Sequence, residues 1–334
     1  MMGLYLKSGY LDFDFLKLTA DHDQINFIII IGARQVGKTY GCLKLLLSSG
    51  KPFILMRRTQ AEIDFVNSGA VNPFRAINPL IMTKKETQYT GKAYTEEKDI
   101  CLTMALSTVS KIRGFYAADY TDLVYDEFIP ESHVMKIKNE GDAFLNAIVT
   151  ISGNRELEGK KPLRVWLLAN SNNINSPVLE SLSLQDKLES MIQKGQELSS
   201  MRDRGIMIVL PDSREVLQKR KQNALYKAIS GKSDFSKMAY ENKFSYNDNE
   251  NVCYMPIKGM SVVFSVSDLC TVYQRPEGSL YVASYRGTGK VYPKSERGKK
   301  LLLKEIPNIK LYYLKGRTYF ESLSLKGNYL NYLL

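Results

Sequence analysis

One segment of the sequence has the residue types and the spacing of a loop that binds phosphate. It reads Gly32-Ala33-Arg34-Gln35-Val36-Gly37-Lys38-Thr39-Tyr40 and contains the pattern G-x-x-x-x-G-K-[ST]. In such a loop backbone N–H groups face phosphate oxygens, Lys38 places a cation beside the β and γ phosphates, and the Thr39 hydroxyl ligates Mg²⁺. By chance the pattern arises on the order of 1% of the time in a chain of this length. We therefore expect residues 32–40 to bind ATP and Mg²⁺.

The segments around this loop have the order that a nucleotide site requires. Apolar, β-branched residues from Ile25 to Ile31 lead directly into the loop and predict a buried parallel strand. A helix is expected to follow through Leu43 to Leu47. Strand, glycine loop and helix in this order predict an α/β P-loop NTPase with a mostly parallel sheet.

A second apolar segment ends in two carboxylates. The run Asp122-Leu123-Val124-Tyr125-Asp126-Glu127-Phe128 predicts a strand with the acidic pair at its carboxyl end. In a motor ATPase Asp126 would hold the Mg²⁺ shell through water, and Glu127 would orient and polarise the attacking water. Small-molecule kinases need no such water activator, so the pair favours hydrolysis and the ASCE type of P-loop NTPase. The alternative is a solvated acidic pair that only ends a strand.

A third apolar segment, Leu163 to Ala169, predicts another strand, which stops at Asn170. Ligands of parallel α/β sheets bind at the carboxyl ends of the strands, so the Asn170 amide is within reach of a γ phosphate or of the attacking water. Asn170 is our candidate for a sensor of nucleotide state. The alternative is a turn, because residues 171–173 are Ser-Asn-Asn.

Three cations are candidates for a contact with the nucleotide of a neighbouring subunit. Such a contact adds positive charge where the transition state of phosphoryl transfer needs it. A predicted helix from Asp142 to Ile151 is followed by Ser-Gly-Asn-Arg155, which places Arg155 in an exposed turn. Arg155 is the first candidate, Lys111 the second, and Arg113 a rival. A plain surface cation is the alternative for each.

Two adjacent arginines follow the predicted strand from Phe53 to Met56 and so lie at the same edge of the sheet. Arg57 and Arg58 could contact phosphate or DNA. They could equally form a solvated pair that opens a helix near Glu62.

The excess of positive charge is concentrated in the last third of the chain. Residues 1–200 contain 23 Lys and Arg against 23 Asp and Glu, whereas residues 201–334 contain 23 against 12, which accounts for the whole net charge of +11. Clustered cations raise the affinity for polyanions through counterion release, so a nucleic-acid partner is favoured. The alternative is a domain that is basic only for solubility.

Other compositional features exclude several classes of protein. No apolar run approaches the roughly 20 residues of a membrane-spanning helix, and the amino terminus lacks a basic-then-apolar signal, so we expect an intracellular protein that does not engage a membrane. The four cysteines are widely separated, which argues against a zinc site or a disulfide framework. With two histidines in 334 residues, a His-based metal centre or a Ser-His-Asp apparatus is improbable.

The length and these patterns predict two domains with a linker. Residues 1–200 would form the ATPase domain, residues 201–245 a linker with a basic helix from Arg214 to Ser230, and residues 246–334 a small basic α+β domain. Three alternating segments in the last part predict an antiparallel sheet: Ser261 to Val266, Leu269 to Gln274 and Ser279 to Tyr285. The densest basic stretch, Lys290 to Lys304, is a candidate contact for a nucleic acid or a protein partner, or else a solvated loop.

The order of these motifs resembles one family, the phi-29-type phage encapsidation ATPases, which are relatives of the large terminases. The resemblance rests on Asn-Phe before Ile-Gly-Ala-Arg, then Gly-Lys-Thr, Phe-Ile-x-x-Arg-Arg, Tyr-Asp-Glu-Phe, Asn-Arg-Glu and Leu-x-x-Asn. It extends to Leu-Pro-Asp-Ser at residues 210–213 and to residues 240–244.

The resemblance implies a homo-oligomeric ring, commonly a pentamer, that docks on the portal of a prohead and drives double-stranded DNA inward. A packaging RNA is a further implied partner. The protein would act in the host cytoplasm, docked only transiently, and would be absent from the mature virion. Large terminases carry an RNase H-like nuclease in the position of residues 246–334. No D-x-D-like cluster of carboxylates occurs there, so we expect a vestigial nuclease fold without nuclease activity.

Two other functions share parts of these patterns. A helicase or recombination ATPase would use the same nucleotide site but would unwind or pair strands. A nucleic-acid-binding adaptor could use nucleotide only as a switch, which the basic last third would support equally well.

Overall fold

A computed structural model describes residues 3–34, 36–112, 117, 119–130, 137–170, 176–212, 214–216 and 251–333. The chain forms two compact units, Met1–Ser245 and Tyr246–Leu334. Each unit has its own apolar core. The basic helix predicted from Arg214 to Ser230 lies outside the described residues beyond Val216.

Helices and strands alternate through the first unit. In chain order the described elements are α1 (Phe13–His22), β1 (Phe27–Gly32), α2 (Lys38–Ser48), β2 (Phe53–Arg57), α3 (Gln60–Asn67), β3 (Met82–Lys85), β4 (Thr90–Tyr94), β5 (Asp99–Ala105), a 3₁₀ helix (Leu106–Lys111), β6 (Asp122–Asp126), α4 (Glu140–Ser152), β7 (Arg164–Asn170), α5 (Pro177–Ser181), α6 (Gln185–Lys194), β8 (Leu198–Met201), a 3₁₀ turn (Arg202–Arg204) and β9 (Ile206–Val209). The predicted strand before the glycine loop and helix after it, the strand that ends in the acidic pair and the strand that precedes Asn170 are all present.

The strands of the first unit form one sheet in the order β3-β4-β5-β2-β6-β7-β1-β9-β8. The six strands from β5 to β9 in this order are parallel, and β3, β4 and β8 add antiparallel edges. This confirms the predicted mostly parallel α/β sheet. Strand β7 lies between β1, which carries the glycine loop, and β6, which carries the acidic pair. Parallel strands end at one edge, so the polar residues that follow β1, β2, β6 and β7 converge there.

The first unit extends past residue 200, so the domain boundary predicted at that position is wrong. All four residues of β9 are buried, and β9 pairs in parallel with β1. The Gly205 carbonyl also accepts hydrogen bonds from the N–H groups of Asn26 and Phe27. Strand β9 therefore belongs to the sheet of the first unit.

The centre of this sheet is built around Trp166 on β7. Its side chain is fully buried, and its Nε1 donates a hydrogen bond of 2.9 Å to Asp122 Oδ1 on β6. On the α1 side its ring lies 6.1 Å from the ring of Phe13. Strands β1 and β6 are almost entirely buried, as expected for parallel strands covered on both faces.

The second unit is a five-stranded sheet with helices. Its described elements are β10 (Ser261–Val266), β11 (Cys270–Gln274), β12 (Leu280–Ser284), β13 (Val291–Tyr292), α7 (Glu296–Glu305), α8 (Ile309–Leu314), β14 (Thr318–Phe320) and α9 (Leu323–Leu333). The order is β13-β10-β11-β12-β14. Strands β10, β11 and β12 are antiparallel, as predicted, and the edge strands β13 and β14 are parallel to their neighbours. The unit is α+β, and its likeness to a nuclease stays a prediction.

The basic stretch from Lys290 to Lys304 is ordered secondary structure rather than the solvated loop considered as an alternative. It contains β13 and most of α7, which Ser295 caps by accepting a hydrogen bond from the Gly298 N–H. Five of its cationic side chains are exposed: Lys290, Lys294, Arg297, Lys300 and Lys304. No described helix is both long and apolar enough to cross a membrane.

Candidate nucleotide-binding site

The glycine loop joins β1 to α2 with Gly37 as the residue that precedes the helix. Gly37 has φ 81°, in the left-handed region that favours glycine. A Cβ at this position would also lie 3.0 Å from the ring of Tyr10, so the loop leaves no easy room for a side chain. The backbone therefore curls tightly into the amino terminus of α2, where N–H groups lack helical partners and favour an anion.

Lys38 lies at the centre of the loop and is 6% exposed. Its Nζ donates to the carbonyl oxygens of Gly32 and Ala33, at 3.1 Å and 2.6 Å, and to Asn170 Oδ1 at 3.1 Å. Burial lowers the pKa of the Lys38 ammonium to about 8, although the charges of Asp126 and Glu127 oppose this shift. Phosphate oxygens have the same acceptor chemistry as these three partners.

The chemistry of Thr39 and Asp126 fits the predicted Mg²⁺ site. Thr39 Oγ1 lies 3.0 Å from each carboxylate oxygen of Asp126, and Asp126 is 2% exposed. A hydroxyl and a carboxylate are the hard oxygen donors that Mg²⁺ prefers, and Mg²⁺ keeps several of its waters when it binds. Thr39 would ligate the ion directly and Asp126 would hold its water shell. Among the described residues, no group of three or more His, Cys, Asp or Glu side chains could hold a metal ion.

Glu127 follows the end of β6 in a left-handed conformation with φ 59°, which is uncommon outside glycine. Its side chain is about half exposed, and Arg57 contacts it: Nη1 lies 2.7 Å from Glu127 Oε2, and Nη2 lies 2.9 Å from Asp126 Oδ2. Burial raises the pKa of the Glu127 carboxyl, the Arg57 cation lowers it, and the Asp126 charge adds to the rise. Arg57 thus joins both carboxylates and is largely buried, so it does not belong to a solvated pair. A contact of Arg57 with phosphate or DNA stays a prediction.

Asn170 ends β7 directly beside the loop. It is the register partner of Gly32, and its amide oxygen accepts from Lys38 Nζ. The structure therefore brings together Lys38, Thr39, Asp126, Glu127 and Asn170 at the edge where four strands end. The sensor role of Asn170 is taken up below as a proposal.

The remaining loop residues surround this group. Ala33 and Val36 are buried and pack on one another, Arg34 lies partly buried beside Glu127, and Tyr40 is 46% exposed on the first turn of α2. Gln35 lies outside the described residues.

Arg155 is not exposed, so the prediction of an exposed turn at this position is wrong. The residue is 3% exposed, and its Nη2 donates to the carbonyl oxygens of Ala117 at 3.0 Å and Tyr120 at 2.7 Å. These carbonyls belong to the segment that enters β6. The guanidinium is thereby committed to the backbone of its own chain and is not presented to a neighbour.

Lys111 is the exposed cation among the described candidates for a trans contact. It ends the 3₁₀ helix that follows β5, and its Nζ lies 4.9 Å from the centre of the Tyr89 ring. Since β5 is parallel to β2, Lys111 follows the strand end nearest the nucleotide edge. Arg113 lies outside the described residues.

Arg58 faces a different partner from Arg57 and is not solvated. It is 1% exposed and forms a bidentate ion pair with Glu140, the first residue of α4. Sequence reasoning missed Glu140, because α4 begins two residues earlier than predicted. Nothing in the local pattern distinguishes this buried glutamate from the exposed Asp142.

The parallel sheet, the glycine loop and the acidic pair define a P-loop NTPase of the class with a strand inserted between the loop strand and the acidic strand. Within that class, the chain belongs to the Podovirus DNA encapsidation protein (Gp16) family, whose model matches residues 7–293. No curated protein matches the sequence.

Two solved structures have a similar fold along nearly the whole chain. The bacteriophage Phi-29 viral genome packaging motor assembly is 16% identical with a TM-score of 0.66, over 98% of this chain and 100% of that chain. The Phi-28 gp11 DNA packaging motor is 17% identical with a TM-score of 0.56, over 93% of this chain and 95% of that chain. Both likenesses concern the fold.

The first prediction concerns the charge of Lys38. Because its pKa is lowered to about 8, the free protein carries this cation below pH 8 and loses it as the pH rises through that value. We expect kcat/KM for ATP hydrolysis, which reports groups of the free protein, to fall above about pH 8. Steady-state rates from pH 6 to 10 in steps of about half a unit test this, with Lys38→Arg as the variant that keeps its charge. A profile that is flat through the alkaline range would contradict it.

The second prediction concerns the buried guanidinium of Arg155. Replacement by Ala leaves the carbonyls of Ala117 and Tyr120, one buried and one partly buried, without this donor. Arg155→Ala should therefore lower the free energy of unfolding by about 1–3 kcal/mol. Urea denaturation measures the change. Lys161→Ala, which removes an exposed cation nearby, is the control and should stay within about 0.5 kcal/mol of wild type. Equal stability of the two variants would show that the observed contacts are dispensable.

Proposed function

We propose that this protein hydrolyses ATP and uses the energy to move double-stranded viral DNA into a phage prohead. The observation that carries the proposal is the arrangement at the end of β6. Asp126 contacts the Thr39 hydroxyl, and Glu127 lies next to it with its carboxylate about half exposed and held by Arg57. A metal-holding carboxylate beside one that faces solvent supports water activation rather than nucleotide binding alone.

The roles of the chain's own groups follow from their chemistry. Mg²⁺ supplies charge neutralisation at the phosphates when it is bound. Lys38 adds a second positive charge, and Thr39 and Asp126 hold the ion and its waters. Glu127 takes a proton from the water that attacks the γ phosphorus, while the bond between that phosphorus and the bridging oxygen breaks to release ADP and phosphate. Asn170, which contacts Lys38, senses the γ phosphate.

Membership in a family of DNA encapsidation proteins supports translocation of duplex DNA over the two alternatives. A helicase, a recombination ATPase and a nucleotide-switched adaptor would all share the phosphate loop, but none of them accounts for a family match over residues 7–293. The similar fold of two packaging motors agrees with this assignment.

The proposed partners are a second copy of the chain, duplex DNA and the portal of a prohead. We propose a ring of identical subunits, with five as the expected number, acting in the host cytoplasm. The exposed cations of α7 and the segment before it are suited to phosphate, whether of DNA or of a packaging RNA. The ring would leave the prohead once the genome is inside.

In this ring Lys111, rather than the buried Arg155, contacts the nucleotide of the neighbouring subunit. The proposal rests on the exposure of Lys111 and on its place after the carboxyl end of β5. A cation supplied in trans makes each site dependent on the next subunit.

Mixing of subunits tests the trans contact. When Lys111→Ala protein is added to wild type at a constant total concentration, ATP hydrolysis should fall more steeply than the wild-type fraction, because one variant subunit disables a neighbour's site. Lys98→Ala is the matched control, since Lys98 is an exposed cation at the opposite end of β5 and should give no such loss. A linear decrease with Lys111→Ala would count against the trans role.

Hydrolysis with and without duplex DNA tests the proposed function itself. Wild type should turn over ATP faster when DNA and proheads are present. Glu127→Gln should bind nucleotide but lose at least about 100-fold in kcat, because the base that takes the proton is gone. Glu97→Gln, at an exposed carboxylate distant from the loop, should keep wild-type rates. No turnover by wild type under any of these conditions would instead favour the adaptor.

A further inference from the structure

A second ion pair lies behind the nucleotide site and takes no part in the contacts described for it. Arg58 Nε lies 2.6 Å from Glu140 Oε1, and Arg58 Nη2 lies 2.9 Å from Glu140 Oε2. The two residues are 1% and 2% exposed. Both charges are thus removed from water, and the bidentate geometry fixes the position of each against the other.

One carboxylate oxygen of this pair reaches two strands. Glu140 Oε1, which accepts from Arg58, also accepts a hydrogen bond of 3.3 Å from the hydroxyl of the fully buried Tyr125. Arg58 directly follows Arg57 at the end of β2, and Tyr125 directly precedes Asp126 on β6. Glu140 therefore contacts the immediate chain neighbours of the residues that meet at the nucleotide edge.

Adjacent residues of a strand point to opposite faces of the sheet. Tyr125 and Asp126 obey this rule: Tyr125 contacts Glu140, while Asp126 contacts Thr39 and Arg57. Arg57 and Arg58 divide their partners in the same way. The ends of β2 and β6 are therefore held twice, by Arg57 with the acidic pair on one side and by Glu140 on the other.

Helix α4 gives Glu140 a fixed place. The ring of Phe144, one turn along the helix, stacks on Tyr125 at 5.7 Å with an angle of 22° between the rings. Gly141 packs so closely on the next helix that a Cβ there would lie 2.5 Å from the Pro177 carbonyl oxygen. The stacking of Phe144 on Tyr125 and the close packing of Gly141 on Pro177 hold the first turn of α4 in place, and the Glu140 carboxylate with it.

The fold alone does not require this pair. Replacing a buried ion pair by apolar side chains of similar volume is often neutral or stabilising, whereas removing one partner leaves an uncompensated buried charge. What an apolar replacement does not reproduce is the directional link from Glu140 to the ends of two strands. An experiment can therefore separate the effect of this ion pair on the free energy of unfolding from its effect on the position of the strand ends.

We propose that Arg58 and Glu140 are positioning residues for ATP hydrolysis, which set where Arg57 and the end of β6 hold Glu127. The inference rests on the proposed function, since it assigns a role within that reaction. Neither residue touches nucleotide. Their effect passes through the main chain of β2 and β6, so the contacts of Lys38 with Gly32, Ala33 and Asn170 stay as they are.

The double variant Arg58→Met/Glu140→Leu tests the proposal. It should unfold at a temperature close to that of wild type, because no buried charge is left unpaired. It should keep the KM for ATP but lose at least about tenfold in kcat, since small displacements of a catalytic group are costly. A double variant that is stable and has the wild-type kcat would overturn the proposal.

A second variant tests the same proposal if the double variant does not fold. Arg58→Lys keeps the buried cation next to Glu140 but removes the bidentate contact. It should lose about three- to tenfold in kcat at unchanged KM, as a milder displacement of the same groups. A wild-type kcat in Arg58→Lys would also overturn the proposal.

Thr103→Val is the matched control, because it removes a buried hydrogen bond of 2.6 Å from Thr103 on β5 of the same sheet to Asn67 on α3, without touching the acidic pair. It should leave kcat unchanged, and a loss equal to that of the double variant would attribute the effect to general loosening of the sheet. The wild-type rate measured in the same series separates the two hypotheses. Its absence would remove the proposed function itself, whereas its presence with unaffected variants removes only the positioning role.

Discussion

Two neighbouring carboxylates, one buried and one about half exposed, lie together at the end of β6, and the rest of this edge of the sheet depends on the cations that compensate their charge. Asp126 is 2% exposed, and burial together with its charge raises the pKa of the Glu127 carboxyl. Arg57 compensates by contacting both carboxylates, and Lys38 contributes a second cation from the loop. The strand order places these groups together, because β1, β2, β6 and β7 all end at one edge.

The nucleotide-binding half could be predicted from the sequence because its signals are local. Apolar runs predict parallel strands, and the glycine loop and the acidic pair directly follow two of them. The partners of the cations could not be predicted, because they depend on contacts between residues distant in sequence. Arg58 and Glu140 are 82 positions apart, and Arg155 bonds to carbonyls more than 30 positions earlier. An arginine after a glycine turn therefore suggested exposure, whereas the fold buries it.

The limits of the first unit were missed for the same physical reason. Strand β9 has only four residues, and the pairing with β1 that makes it part of the sheet joins positions about 180 residues apart. The pairing of the second unit is mostly between neighbours in the chain, so its three antiparallel strands were visible as alternating segments with turns between them. A sequence shows which strands pair when they are neighbours in the chain. It does not show which strands pair in parallel when a long crossover separates them.

The burial of Trp166 gives the protein an optical property. It is the single tryptophan among 334 residues, so the long-wavelength emission of the whole chain comes from one ring on β7. That ring is bonded to Asp122, at the opposite end of β6 from Asp126. Any movement of β6 against β7 during a catalytic cycle would alter the polarity around the indole. The chain therefore carries its own spectroscopic probe, in contact with the strand that ends in the acidic pair.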